Sequence, residues 1–219
     1  MTPGFWDALG AEAAAALRER MVPRSYARNQ ALMHMGQVPR EVLLIVSGVV
    51  KVSATTAAGR SVLLAVRGQG ELIGELSALD DEPRSASIVA IEPVQALAIA
   101  GDRFRAFVLE RPDVALVLLR ELSARLRDSD AKRMQLAAYT TVGRVAFCLL
   151  ELCERFGSAQ DGAVDIQLPL SQEELASWAG ASLESVGRAL QTMRGLGWIE
   201  TRRRAIRVLD RVALEAATS

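Results

Sequence analysis

Apolar positions change their spacing twice along this chain. In MTPGFWDALGAEAAAALRER they fall on one face at helical intervals, which predicts an amphipathic helix. From about residue 24 to residue 100 the pattern becomes strand-like. EVLLIVSGVVKVSA is a β-branched run broken at Ser47-Gly48, predicting two strands and a turn; SVLLAV, ELIGEL, SASIVAIE and VQALAIA follow, separated by TTAAGR, RGQG, DDEPR and EP. Short strands at this spacing predict a small antiparallel barrel or sandwich.

Gly101 opens a helical regime. DRFRAFVLE predicts a short helix stopped by Arg111-Pro112, and Asp113 is placed to cap a long helix from about Val114 to Ala137. Leu119, Leu122, Leu126, Ser129 and Leu136 recur along it at three- to four-residue spacing, with Arg133 between the last two. That is a coiled-coil-like seam with a polar break, suited to a homodimer; the same stripe could instead pack on the chain's own barrel. TTVGRVAFCLLELCERFG then predicts an amphipathic helix ending at Gly157, SAQDGA a polar loop, and VDIQLPL a short strand.

The segment LSQEELASWAGASLESVGRALQTMRGLGWIE predicts two helices joined at Gly180. Ser171 caps the first, with Glu174 completing a capping box, and Leu175, Trp178 and Ala179 form its buried face. Ser182 caps the second through Ser185; Val186, Leu190 and Met193 turn inward, leaving Leu183, Glu184 and Arg188 outward. This is the pattern of a helix-turn-helix, whose second helix fits a DNA major groove. WIETRRRAIRVLD adds strand, basic turn and strand, a wing whose Arg202 and Arg203 are placed for phosphates. A plain helical hairpin would need neither the outward Glu–Arg pair nor the arginine wing. The expected architecture is therefore α+β. Residues 1–112 form an antiparallel, jelly-roll-like barrel, residues 113–138 a dimerisation helix and hinge, and residues 139–219 a winged helix-turn-helix.

Composition narrows the function. The 219 residues carry 26 basic and 26 acidic side chains, so global charge says nothing in favour of nucleic acid. Seven arginines against two carboxylates between Val186 and Arg211 do, as a local electrostatic footprint. No apolar run reaches the ~18–20 residues of a membrane span, and the start lacks the basic leader of an export signal. Two cysteines, Cys148 and Cys153, are too few for a disulfide framework or an iron–sulfur cluster, and point to the cytoplasm. One histidine, His34, excludes a clustered metal site of the cupin kind; a haem on it has nothing else behind it. No nucleophile–base pair suggests a hydrolase, and the chain is not expected to be an enzyme.

The stretch GELIGELSALDDEPRSAS, Gly70 to Ser87, brings a glutamate close to an arginine–serine pair, as a phosphate site or as an ordinary surface hairpin. Gly74-Glu75-Leu76, Arg84-Ser85, Val142-Gly143-Arg144 and the Ser182–Arg188 segment SLESVGR together resemble the catabolite activator / fumarate-nitrate regulator (Crp/Fnr) family over essentially the whole chain. The resemblance implies a cyclic-nucleotide pocket and no tightly bound cofactor. In it Glu75 would take the ribose hydroxyl, Arg84 and Ser85 the cyclic phosphate, and Arg125 would pair with Glu75. Ser129 and Asp130 occupy the positions where cyclic-AMP members place two small hydroxyl residues, one from each subunit. Asp130 departs from that pattern: it could accept from the adenine amine, accept bidentately from guanine, or be a solvated helix residue, so cyclic AMP and cyclic GMP both stand. Double-stranded palindromic DNA, a second copy of the chain and RNA polymerase are the implied partners, with the 157–163 loop as a candidate polymerase surface. Leu183 stands where cyclic-AMP activators of the family carry an arginine and the fumarate-nitrate branch an apolar residue. A ligand-independent regulator with the barrel kept only as a dimerisation scaffold is the alternative.

Overall fold

A computed structural model describes residues 4–167, 170–202 and 205–218. They form two compact units that divide between Arg127 and Asp128.

The first unit begins with α1 (Phe5–Ala8) and α2 (Ala11–Glu19), two helices where one was expected, because the chain is extended at Leu9 and Gly10. Eight strands follow: β1 (Val22–Tyr26), β2 (Ala31–Met33), β3 (Glu41–Ser47), β4 (Val50–Thr55), β5 (Ser61–Arg67), β6 (Leu72–Ile73), β7 (Ser87–Ala90) and β8 (Val94–Ala100). Helix α3 (Glu75–Asp80) lies between β6 and β7, and α4 (Gly101–Glu110) and α5 (Pro112–Ala138) follow β8. Among the described residues the pairing runs in two four-stranded antiparallel sheets, β1-β8-β3-β6 and β2-β7-β4-β5, and not around one closed barrel.

The unbroken apolar run of β3 follows from burial on both faces. Successive strand residues point to opposite sides. Val42 and Leu44 join Phe5, Leu17, Leu72, Phe104, Phe107, Val114 and Leu118 in the core under the helices. Leu43 and Ile45 join Met33, Val50, Ile73, Ile88 and Val94 in a second core. Gly48 carries the chain from β3 in one sheet to β4 in the other at φ +88°, with a Cβ there falling 2.3 Å from the Pro93 carbonyl oxygen. Only glycine fits that corner.

ELIGEL does not continue as a strand. Leu72 and Ile73 pair with Leu44 and Leu43, and then Gly74 at φ +81° turns the chain into α3. Pro112 is the first residue of α5, a position that needs no N–H, and Asp113 pairs with Arg111 inside the first turn. Along α5, Val114 and Leu118 are buried in the unit's own core, whereas Leu116, Leu119, Leu126, Met134 and Leu136 are exposed.

The second unit holds the end of α5, then α6 (Thr141–Phe156), β9 (Gly157–Gln160), β10 (Ala163–Ile166), α7 (Gln172–Trp178), α8 (Leu183–Gly195), β11 (Ile199–Arg202), β12 (Ala205–Val208) and α9 (Arg211–Ala216). Its sheet has the order β11-β12-β10-β9. The expected polar loop after Gly157 is instead a hairpin: β9 pairs with β10 across Asp161 and Gly162, both at positive φ. An Asp-Gly turn suits the twist of a two-residue hairpin. No described helix is long and apolar enough to cross a membrane.

Candidate functional site

Backbone geometry brings Gly74, Glu75, Arg84 and Arg125 together in the first unit. The chain at Arg84 is clamped to the 36–37 turn: its N–H donates to Gln37 O (2.9 Å), and its carbonyl accepts from Gly36 N–H (2.8 Å). The side chain is only 6% exposed. Nη1 donates to Gly74 O and Nη2 to Glu41 O, each at 2.5 Å, so its hydrogen bonds go to backbone carbonyls and not to a carboxylate. Burial pulls the Arg84 pKa below the usual arginine range, and the nearby charges of Glu75 and Glu41 only partly oppose this. The Nε proton and one proton on each terminal nitrogen remain for a ligand.

Glu75 opens α3 and is 3% exposed. Its Oε1 accepts from Arg125 Nη1 at 2.5 Å. Arg125 Nη2 donates to Leu72 O (2.9 Å) and to Glu121 Oε1 (2.5 Å). Burial works to lower the Arg125 pKa, and the carboxylates of Glu75, Glu121 and Glu71 more than reverse it. Glu75 is thus neutralised from α5, while among the described residues Arg84 is a buried cation without a bonded anion. A phosphate and a hydroxyl are what this pair accommodates: charge-assisted bonds to Arg84, and a hydroxyl donating to Glu75.

Leu76 and Ser85 flank these groups and are exposed. Ser129 and Asp130 are exposed residues of the second unit, Asp130 lying 3.6 Å from Arg133 Nη1. Glu121, one turn before Arg125 on α5, escaped the sequence reading although its i, i+4 spacing to Arg125 was visible. Among the described residues no cluster of three or more His, Cys, Asp or Glu is placed to hold a metal.

Gly74 is confined by its backbone and by its neighbours. A Cβ would sit 2.6 Å from Arg84 Nη1 and 2.7 Å from Met33 Cε, at a φ that L residues rarely adopt. Gly74→Ala is expected to cost roughly 1–3 kcal/mol of stability and to displace the Arg84 guanidinium. Thermal unfolding together with nucleotide titration would check this; a variant as stable and as tight as the wild type would count against the geometry.

In the second unit, Ser171 Oγ accepts from Glu174 N–H (3.1 Å) while Ser171 N–H donates to Glu174 Oε2 (2.8 Å), the expected capping box. Helix α7 ends at Trp178, and Gly180 turns the chain at φ +58°. Ser182 Oγ accepts from Ser185 N–H at 3.2 Å and starts α8. Val186, Ala189, Leu190 and Met193 are buried against α6 and α7. Leu183, Glu184 and Arg188 face outward, and Glu184 holds Arg188 Nη1 at 2.5 Å. β11 and β12 form the wing, with Arg202 exposed beside Glu200 (3.1 Å). Arg203 lies outside the described residues. Val142-Gly143-Arg144 has a structural role: Gly143 admits the chain at the end of α9, where the carbonyl of the C-cap Ala217 would lie 2.5 Å from a Cβ, and Arg144 Nη1 donates to Gly180 O at 3.2 Å.

A two-sheet unit with a buried arginine, followed by a winged helix-turn-helix, is the arrangement of a DNA-binding protein with a second, N-terminal unit. Residues 23–111 match the cyclic nucleotide-binding domain, and residues 143–217 match the Crp-like helix-turn-helix domain. The chain is 33% identical over 207 residues to the CRP-like cAMP-activated global transcriptional regulator of Mycobacterium tuberculosis, covering 94% of this chain and 92% of that protein. It is 32% identical to the cyclic AMP receptor protein of Thermus thermophilus, covering 89% of each. The solved structure of the c-di-GMP responsive global regulator CLP of Xanthomonas campestris superposes with a TM-score of 0.79 at 21% identity, over 91% of this chain and 99% of that one, a likeness of fold. The chain belongs to the Crp family of transcription regulators, DNA-binding proteins with a cyclic nucleotide-binding domain; these relatives are regulators and not enzymes.

Proposed function

We propose that this protein is a homodimeric transcription regulator whose DNA affinity is set by a cyclic nucleotide, with cyclic AMP favoured over cyclic GMP. The observation that carries the effector is Arg84, a buried guanidinium bonded among the described residues to the Gly74 and Glu41 carbonyls, beside a Glu75 already neutralised by Arg125. The cyclic phosphate, with Ser85 at its edge, bonds the Arg84 guanidinium directly. The ribose hydroxyl donates to Glu75 next to Gly74 and Leu76. Relatives named for cyclic AMP support that choice of nucleotide.

Exposed Leu119, Leu126 and Leu136 on α5 support the homodimer, because a seam of this kind buries its leucines against a second copy. Two recognition helices in such a dimer read a palindrome whose half-sites lie about 34 Å apart. Ligand shifts the population toward the DNA-competent dimer only if it binds that state more tightly. RNA polymerase is the further partner, with the 157–163 segment as a candidate contact surface.

Isothermal titration with cyclic AMP and cyclic GMP tests the reading. Ser129 and Asp130 are the base-reading residues. Ser129→Ala with Asp130→Ala is expected to cut ligand-stimulated DNA binding by about tenfold or more while leaving ligand-free DNA binding unchanged. Equal loss of both would remove these residues from effector reading. Failure of either nucleotide to bind would leave a DNA-binding protein whose first unit is a scaffold.

A further inference from the structure

Arg125 is asked to neutralise more carboxylate than one guanidinium can. Glu75 takes one of its nitrogens and Glu121 another. Among the described residues the buried Glu121 Oε2 has no hydrogen-bond partner. Glu71, from the turn before β6, adds a third negative charge that acts on both Arg125 and Glu121, and pairs with Arg67 of β5 at 3.4 Å. With all groups ionised, Glu41, Glu71, Glu75 and Glu121 balance Arg24, Arg67, Arg84 and Arg125. A bound cyclic phosphate breaks that balance, leaving one negative charge too many in a site largely closed to water.

One group can relieve the excess. Glu75 is needed as an acceptor, and Glu71 has its own arginine. Glu121 has a buried oxygen that nothing satisfies, and an ionised oxygen in that position costs more than a neutral one. Burial already pushes the Glu121 carboxyl above the usual range; Arg125 opposes this, and the charges of Glu75 and Glu71 add to it. We propose that Glu121 is a proton-linked positioning residue of the effector site: it takes up a proton as the anionic ligand binds, and so sets both the affinity and its pH dependence. This rests on the cyclic-nucleotide reading above. Protonation also removes the carboxylate that competes with Glu75 for the Arg125 guanidinium, fixing the carboxylate that receives the ribose.

The sign follows from linkage. Ligand binding favours protonated Glu121, so protonation favours ligand by the same factor. Affinity is greatest below the ligand-free pKa of Glu121 and falls as pH rises through the ligand-bound pKa, by about tenfold for each unit separating the two. Neither the cyclic phosphodiester nor the purine titrates in that window.

The test is calorimetric titration of the full-length protein with cyclic AMP and with cyclic GMP, from about pH 5 to about pH 8. Wild type and Glu121→Gln are compared, in buffers of unlike ionisation enthalpy. Expected for the wild type is net proton uptake on binding and a Kd that weakens about tenfold across the range. Expected for Glu121→Gln is a flat profile near the wild type's low-pH affinity. Wild-type binding without proton uptake, or the same pH profile in Glu121→Gln, would overturn the role of Glu121 while leaving nucleotide binding intact. The proton count on wild type decides the matter even if the variant folds poorly. Absence of wild-type binding at every pH would overturn the nucleotide reading, and this inference with it.

Discussion

Arg84→Ala is expected to lose nucleotide affinity by roughly 30- to 5,000-fold, the equivalent of about 2–5 kcal/mol for removing one partner of a buried charged contact. The guanidinium is held in place before ligand arrives by the carbonyls of Gly74 and Glu41, so little of the binding energy is spent on ordering it. Truncation also strips those carbonyls of their donors, at about 1–3 kcal/mol of stability. Two measurements separate these effects: calorimetric titration reads the first, and thermal unfolding without ligand reads the second. Arg84→Lys keeps the charge but not the planar fork, and is expected to recover only part of the affinity. An Arg84→Ala protein that folds and binds either nucleotide as tightly as the wild type would remove Arg84 from the effector site.

The second large effect is expected at the recognition helix. Arg188 is suited to guanine and Glu184 to the amine of cytosine, and a bidentate arginine–guanine contact is worth about 1–3 kcal/mol. A dimer makes the contact in both half-sites, so Arg188→Ala should weaken specific binding by about 2–6 kcal/mol while leaving nonspecific binding nearly unchanged. It also frees Glu184, held by Arg188 at 2.5 Å, to face the DNA as an unpaired negative charge. Leu183 is 46% exposed at the start of the same helix and can touch a thymine methyl but cannot hold guanine. The wild-type half-site is therefore expected to have an inner G·C pair read by Arg188 and Glu184 and to carry thymine at the outer position, and Leu183→Arg to shift that position to guanine. Selection from a randomised DNA pool checks both. Strong guanine at the outer position for the wild type would refute the assignment of Leu183.

What could be read from the sequence was mostly what local chemistry determines. The two helices about Gly180 were legible because Ser171, Glu174, Ser182 and Ser185 satisfy backbone groups within a few residues of themselves. Ser47-Gly48 announced a turn, yet nothing local says that β3 and β4 join different sheets; that depends on Gly48 approaching Pro93 across the fold. ELIGEL looked like a strand because it is a short apolar stretch set between turn signals, but Arg84 and Met33 crowd Gly74 and α3 begins there. Asp161-Gly162 carried a hairpin signal that the polarity of its neighbours obscured. In the site, Glu75, Arg84 and Arg125 were reached through the family resemblance, and the structure adds the distances. Glu121 was missed because burial of a helix face depends on what packs against it, which spacing alone does not reveal. The roles of Ser129 and Asp130 remain expectations from the resemblance.

Cys148 and Cys153 both lie on α6 and both are buried, with thiols that burial pushes up to about 12 and about 11. The first unit has no cysteine at all. A thiol in that state is inert, and it reacts only when its surroundings open. The chain therefore carries a built-in chemical clock on one of its two halves: the rate at which a thiol reagent is consumed times the opening of the DNA-reading unit, while the effector unit stays silent.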